Sequence, residues 1–172
     1  MRSGVVIFPG SNCDRDMIVA LRQITGKTPI KIWHKENDFP NLDLIVVPGG
    51  FTFGDYLRCG ALAARSPVIS SIKNHISRGG TVLGVCNGFQ ILIEAKILPG
   101  SLIRNKQLLF TCRETTLEVQ NCIKNPCLSG FKIGERLKIP VAHNEGNYFA
   151  PEDLLKQLKE EGRIALKYSK QK

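Results

Sequence analysis

Short apolar runs separated by turn residues constrain this chain more than any other feature. Gly4–Phe8, Leu42–Val47 and Thr81–Val85 do not alternate cleanly with polar residues, and Pro29–Trp33 is a fourth short run of the same kind. Strands that bury both faces have this appearance, and such strands belong to a parallel sheet covered by helices. Pro9-Gly10-Ser11-Asn12 closes the run Gly4–Phe8 and Pro48-Gly49-Gly50 the run Leu42–Val47, each a turn signal. After the first turn, Ile18, Leu21, Arg22 and Ile24 keep helical spacing; Asn12 or Asp14 is the expected cap and Gly26 the stop. Ser66-Pro67 has the cap and first-turn proline of another helix, which carries Ile69, Ile72 and Ile76 up to Gly79-Gly80. Strand and helix alternate, which predicts an α/β open sheet, mostly parallel.

Beyond Pro99-Gly100 the pattern changes. Leu108–Cys112, Leu117–Val119 and Leu137–Val141 read as strands of a small antiparallel excursion, Glu152–Glu161 as a helix, and Ile164–Tyr168 as the start of one more strand. No repeat or low-complexity linker interrupts the chain, so residues 1–172 are read as one domain. With 172 residues, of which 42% are hydrophobic, a full core is available without disulfide or metal staples. Apolar runs such as Leu44–Val47 and Ile91–Ile93 fall far short of the ~20 residues a membrane helix needs. Met1-Arg2-Ser3-Gly4 leads straight into the first strand with no signal-peptide core, so a cytoplasmic protein is expected.

Composition excludes little else. Cys13, Cys59, Cys86, Cys112, Cys122 and Cys127 form no CxxC pair, so reduced thiols are expected and no metal site. The 24 Lys and Arg against 15 Asp and Glu give a charge of +9, but these residues are dispersed without aromatic interleaving. A solvated surface accounts for them better than a nucleic-acid partner does. No phosphate-binding glycine loop of the P-loop kind is present.

Gly84-Val85-Cys86-Asn87-Gly88 is the segment that points to chemistry, because a strand, a nucleophilic residue and a helix follow one another with no loop between. Small residues on both sides permit the strained turn that lifts a nucleophile out of a sheet. At a helix amino terminus the unpaired amides also favour negative charge, and the Asn87 N–H is placed to donate to a developing oxyanion. A buried structural cysteine is the plain alternative. Gly49 and Gly50, at the end of a neighbouring strand, would let a second backbone amide approach a substrate, although a simple turn has the same residues. Cys13 and Cys59 lack flanking glycines and are read as packing thiols. Of the three histidines, His34 and His75 read as edge or surface residues. His143 and Glu145, two apart in an extended segment, would face the same side and suit a base with its orienting carboxylate.

Gly84-Val85-Cys86-Asn87-Gly88-Phe89-Gln90 resembles the nucleophile motif of class I (triad) glutamine amidotransferases. Phe8–Asp14, Pro48–Gly60 and Ile139–Tyr148 further resemble the glutaminase subunits of phosphoribosylformylglycinamidine synthase, and the likeness covers essentially the whole chain. The resemblance implies a flavodoxin-like sheet with helices on both faces, and hydrolysis of glutamine with ammonia passed to a separate synthetase subunit. There ATP would drive formylglycinamide ribonucleotide to the amidine, as a step of purine biosynthesis. ATP and magnesium are expected on that partner and no cofactor on this chain; a small third subunit is a further expected partner. By matched position Cys86 would be the nucleophile that forms the glutamyl thioester. Gly50 and Asn87 would supply oxyanion amides, and Gln90 with Gly49 would line the glutamine pocket. Asp55, Arg58, His143 and Glu145 would serve the partner interface or the ammonia path.

Two positions depart from the pattern. Asn144 stands where the family motif has glycine. Class I glutaminases carry their catalytic His and Glu in a Pro-His-Pro-Glu-like motif several tens of residues further on, whereas this sequence stops at Lys172. The expectation is therefore a chain short of the family's carboxyl-terminal part, with weak activity on its own, and His143 and Glu145 matching a different motif from the catalytic pair. The alternatives are a docking module without turnover and another elbow-cysteine hydrolase of similar fold.

Overall fold

Val5 and Val6 are neighbours on one strand, point to opposite sides, and are both fully buried. That strand, β1 (Ser3–Ile7), pairs in parallel with β2 (Ile30–Trp33) and β3 (Leu44–Val47), and β3 pairs in parallel with β4 (Thr81–Gly84), giving the order β2-β1-β3-β4. The structure, a computed structural model, describes residues 1–121 and 125–169. The chain divides into two compact units, Met1–Pro99 and Gly100–Lys172, where the sequence reading takes one domain.

In the first unit both faces of the sheet are covered, as the unalternating strands require. On one face Met17, Ile18 and Leu21 of helix α1 (Asp14–Thr25) meet Val5, Val46 and Leu83. On the other, Val6, Ile32, Ile45 and Val47 meet Val68, Ile69 and Ile72 of α2 (Val68–Ser77), with Ile91 and Leu92 of α3 (Asn87–Glu94). Burial of each such side chain contributes about 1.5–3 kcal/mol, so the sheet is a rigid base for the loops at its carboxyl end.

Helix ends follow the sequence except at two caps. Gly26 stops α1 in the left-handed conformation and donates its N–H to the Arg22 carbonyl at 2.9 Å. Neither Asn12 nor Asp14 caps the start; Cys13 occupies that position without a side-chain bond, and Asp14 and Asp16 favour the first turn through the dipole alone. At α2 the hydroxyl of Ser66 is 3.1 Å from His34 Nδ1 instead of capping the helix, and Pro67 takes the cap position. His34 and His75, read as edge or surface residues, are both buried. His34 sits edge-on to Phe53 with ring centroids 5.3 Å apart, and His75 Nε2 lies 3.2 Å from the Thr81 carbonyl oxygen.

The second unit is the antiparallel part. β5 (Ser101–Ile103) pairs with β8 (Asn147–Phe149), and a separate sheet has the order β7 (Arg136–His143), β6 (Thr111–Val119), β9 (Leu166–Tyr168). The two strands expected at 108–112 and 117–119 are one nine-residue strand. Arg113 and Glu114 interrupt its apolar pattern because an antiparallel strand tolerates an exposed face. Leu108, Leu109 and Phe110 precede it as exposed residues. Helix α4 (Glu152–Glu160) matches its expected span to one residue, and the last strand begins at Leu166 rather than Ile164. No helix among the described residues is long and apolar enough to cross a membrane, and no two described cysteines form a disulfide; Cys122 lies outside the described residues.

Burial, and after it the charge of Lys35, hold the His34 imidazole below its ordinary value of 6.5. As pH falls below 6.5 the unfolded chain takes up a proton that the folded chain resists, so stability is present above that pH and is lost below it. His34→Asn, which keeps a polar atom near Ser66, should flatten this loss. Melting temperatures measured above and below pH 6.5 check it: parallel profiles for the variant and the parent would contradict the assignment.

Candidate active site

Order β2-β1-β3-β4 means that the chain leaves β1 toward one side of the sheet and returns to the other at β3. Parallel sheets open a crevice at the carboxyl ends of strands where the winding reverses. The turns at Gly10–Asn12 and Gly49–Gly50 and the residue Cys86 stand at the carboxyl ends of β1, β3 and β4.

Val85 and Cys86 link β4 to α3, and the chain turns at Cys86. It takes φ 52°, ψ −113°, a conformation that costs L-residues energy. Val85 N–H still donates to the Val47 carbonyl at 3.0 Å, and the Cys86 carbonyl already accepts from Gln90 N–H, four residues on, at 3.2 Å. Helix and strand lie so close that a Cβ at Gly84 would stand 2.6 Å from Leu92 Cδ1, and one at Gly88 would collide with the Val47 carbonyl oxygen. The paired glycines are therefore a packing requirement of the elbow. Cys86 itself is exposed.

A glycine turn from the neighbouring strand lies beside it. The position of a Cβ on Gly49 is 3.3 Å from Cys86 Cβ, which places the Gly49-Gly50 turn against Cys86. Gly50 has φ +141°, and a Cβ there would stand 2.7 Å from the Asn12 backbone nitrogen, so no other residue fits. Among the described residues neither the Gly50 N–H nor the Asn87 N–H has an acceptor in the chain. The hydroxyls of Ser11 and Thr52, on the turns beside Gly50, are likewise buried without a hydrogen-bond partner.

The Asn87 side chain is fully buried and both ends of its amide are used. Oδ1 accepts from Thr52 N–H at 3.1 Å, while Nδ2 donates to Asp55 Oδ1 at 3.0 Å and to Gln90 Oε1 at 2.9 Å. Asp55 and Gln90, both singled out from the sequence, thus meet at one side chain. The segment they belong to is strained, with positive φ at Phe53, Asp55 and Leu57. It exposes Phe51, Tyr56 and Leu57, and Arg58 closes it with an ion pair to Glu94 of α3 at 2.6 Å.

Cys13, read as a packing thiol, stands near Cys86: its Cβ is 3.7 Å from the same point on Gly49 that Cys86 approaches. Burial, then Asp16, Cys86 and Asp14, push its thiol above the usual value of 9.0 and keep it protonated. No spacing in the sequence marks this neighbour, because the two thiols come from turns after different strands.

His143 and Glu145 belong to the second unit. Strand β7 ends at His143, so the extended segment that would have put both side chains on one side does not exist. His143 Nδ1 lies instead 2.9 Å from Asn105 Oδ1. Asn105 Nδ2 donates to the carbonyls of Leu109 and His143 at 2.9 and 2.8 Å, so its oxygen faces the ring and His143 is protonated on Nδ1. The Gly146 N–H donates to the same oxygen at 3.1 Å. Asn105 gives no sign of this role in the sequence, where it is one polar residue in the run Arg104–Gln107. Among the described residues no group of three or more His, Cys, Asp or Glu is arranged to hold a metal.

Comparison with known proteins places this geometry. A family model for the CobB/CobQ-like glutamine amidotransferase domain matches residues 1–172. The chain is 52% identical over 170 residues to phosphoribosylformylglycinamidine synthase subunit PurQ of Zymomonas mobilis, covering 98% of this chain and 76% of the relative. The Brucella suis protein of the same name is 50% identical with the same coverage. Among solved structures, PurLQS from Thermotoga maritima matches at TM-score 0.87 and 39% identity, over 99% of this chain and 75% of that one. A glutamine amidotransferase from the same organism matches in fold at TM-score 0.58 and 17% identity.

Gly88→Ala tests the elbow. The added methyl group would meet the Val47 carbonyl, and overpacking of this kind destabilises by about 1–3 kcal/mol. A lowered melting temperature together with slower alkylation of Cys86 by iodoacetamide is expected. An unchanged rate would mean that the close contact does not set the thiol's presentation.

Proposed function

The chain belongs to the CobB/CobQ-like glutamine amidotransferase family, and from that premise we propose that it is the glutaminase subunit of a phosphoribosylformylglycinamidine synthase. In this role it hydrolyses glutamine at Cys86 and delivers ammonia to a synthetase subunit, a step of purine biosynthesis. The observation that carries the reading is the elbow itself, a cysteine at φ 52° between β4 and α3 with the Gly49-Gly50 turn against it.

The chemistry follows from the positions. Cys86 Sγ attacks the carboxamide carbon of glutamine, and the carbonyl oxygen becomes an oxyanion that accepts from the Gly50 and Asn87 N–H groups. Collapse of that intermediate expels ammonia once the leaving nitrogen is protonated, and water then cleaves the thioester to release glutamate. Gln90, held by Asn87, lines the glutamine pocket together with Gly49. Exposed Tyr56 and Leu57 support assignment of the Asp55–Arg58 segment to the synthetase surface, and His143 and Glu145 are assigned to that surface or to the ammonia path. His34 and His75 are engaged in packing and supply no base. ATP and magnesium belong to the partner in this scheme. A cytoplasmic site of action accords with the likeness to the PurQ subunits.

Glutamate release from glutamine, assayed for the chain alone and with its synthetase partner, tests the reading. Cys86→Ser is expected to lower turnover by about 10⁴ to 10⁶-fold, as loss of a covalent nucleophile does. His143→Ala should impair coupled amidine formation more than glutamate release. Equal loss of glutamate release in both variants would make His143 the general base. If turnover appears only when the chain is extended to the length of its relatives, the base lies after Lys172.

A further inference from the structure

One side chain at the elbow does more than the proposed reaction has asked of it. Asn87 offers its backbone N–H to the oxyanion, yet its carboxamide reaches back to a segment that lies 32 to 35 residues earlier in the chain. We propose that this side chain is a positioning residue, which holds the Gly50–Thr52 segment against the elbow and so keeps the two oxyanion donors in register. The inference rests on the glutaminase reading and assigns Asn87 a second task within it.

The orientation of the amide is determined by its partners. Oδ1 faces an N–H, from Thr52, and Nδ2 faces the Asp55 carboxylate and the Gln90 carbonyl oxygen. A flipped amide would set donor against donor and oxygen against carboxylate, so the network has one arrangement. With the residue wholly buried, no water can replace a lost bond without rearrangement.

Other backbone ties of this segment run to the turn after β1. Phe51 N–H donates to the Gly10 carbonyl at 3.0 Å and Phe53 N–H to the Pro9 carbonyl at 2.7 Å, which fasten it to the turn after β1 rather than to the elbow. The Arg58–Glu94 ion pair joins it to α3, but at its far end and with the Arg58 side chain half exposed. Thr52, two residues from Gly50, is thus held to the nucleophile's own helix by Asn87 Oδ1. Backbone with positive φ at Phe53 and Asp55 persists only where the surroundings over-determine it. Removing the amide would release the turn, and Thr52 and the Gly50 N–H would move with it.

The test uses the complex of the full chain with its synthetase, carrying Asn87→Ala or Asn87→Asp. Three readouts separate positioning from folding: kcat and KM for glutamine, inhibition by glutamate γ-semialdehyde, and alkylation of Cys86 by iodoacetamide. The aldehyde forms a thiohemiacetal whose oxygen needs both donors, whereas alkylation builds no oxyanion. For Asn87→Ala, kcat should fall by about 10² to 10³-fold, the scale of losing one oxyanion donor. Aldehyde inhibition should weaken by a similar factor, while KM and the alkylation rate change by less than roughly threefold.

In Asn87→Asp the carboxylate form repels Asp55, whereas the neutral form keeps an acceptor for Thr52 and an O–H donor for Asp55 or Gln90. Its activity relative to the parent protein should therefore recover as pH is lowered, which Asn87→Ala should not show. Unchanged turnover in Asn87→Ala overturns the proposal. So does alkylation that falls in step with turnover, or aldehyde inhibition that stays constant while turnover drops. If the unsubstituted complex neither turns over glutamine nor binds the aldehyde, the glutaminase reading fails and this inference with it. An active parent with an equally active Asn87→Ala variant removes this inference alone.

Discussion

The link between β4 and α3 is two residues long and turns at one of them, Cys86, and the rest of the site depends on it. A strand can enter a helix with no loop only if that residue accepts an unfavourable backbone and the two elements come almost into van der Waals overlap. Cys86 accepts the first condition with φ 52°, and Gly84 and Gly88 permit the second. The result points a thiol away from the sheet while the first free amide of α3 lies next to it. An exposed cysteine and an unbonded N–H are thereby set side by side by backbone geometry alone.

Such a turn is stable only on a base that does not yield. Parallel pairing from β2 to β4 and coverage by α1 on one face and α2 with α3 on the other provide it. Every loop that carries a candidate site residue of the first unit leaves the carboxyl end of this sheet, so their relative positions are inherited from strand register rather than from loop stiffness. Buried polar residues extend the same control outward. His34 joins Ser66, in the segment that enters α2, to the Phe53 ring, and Asn87 joins α3 to the turn that contains Phe53.

How much of this was legible in the sequence depended on whether the responsible interaction is local. The unalternating apolar runs announced the parallel sheet, and the Gly-x-Cys-x-Gly spacing announced the elbow, because both are written within a few consecutive residues. Interactions between distant segments were not legible. Ser66 carries the local signature of a helix cap, but His34 competes for its hydroxyl and wins. Cys13 looked like one thiol among six, and only the fold brings it to the Gly49 turn. His143 and Glu145 looked like a pair on an extended segment until the strand ended between them, and the histidine's partner proved to be Asn105, 38 residues away. β5 and β8, three residues each, are too short to leave a period.

Left-handed backbone at Phe53, Asp55 and Leu57 gives the molecule a built-in conflict between durability and use. Each non-glycine residue held there raises the folded state's free energy by about 1–3 kcal/mol, and Leu57 recovers almost none of it by packing, being 90% exposed. Glycine at that position would relieve the strain at once. Selection for thermal endurance alone would therefore favour other residues at these positions. The sturdiest version of this protein and the most useful one are, at these few residues, different sequences.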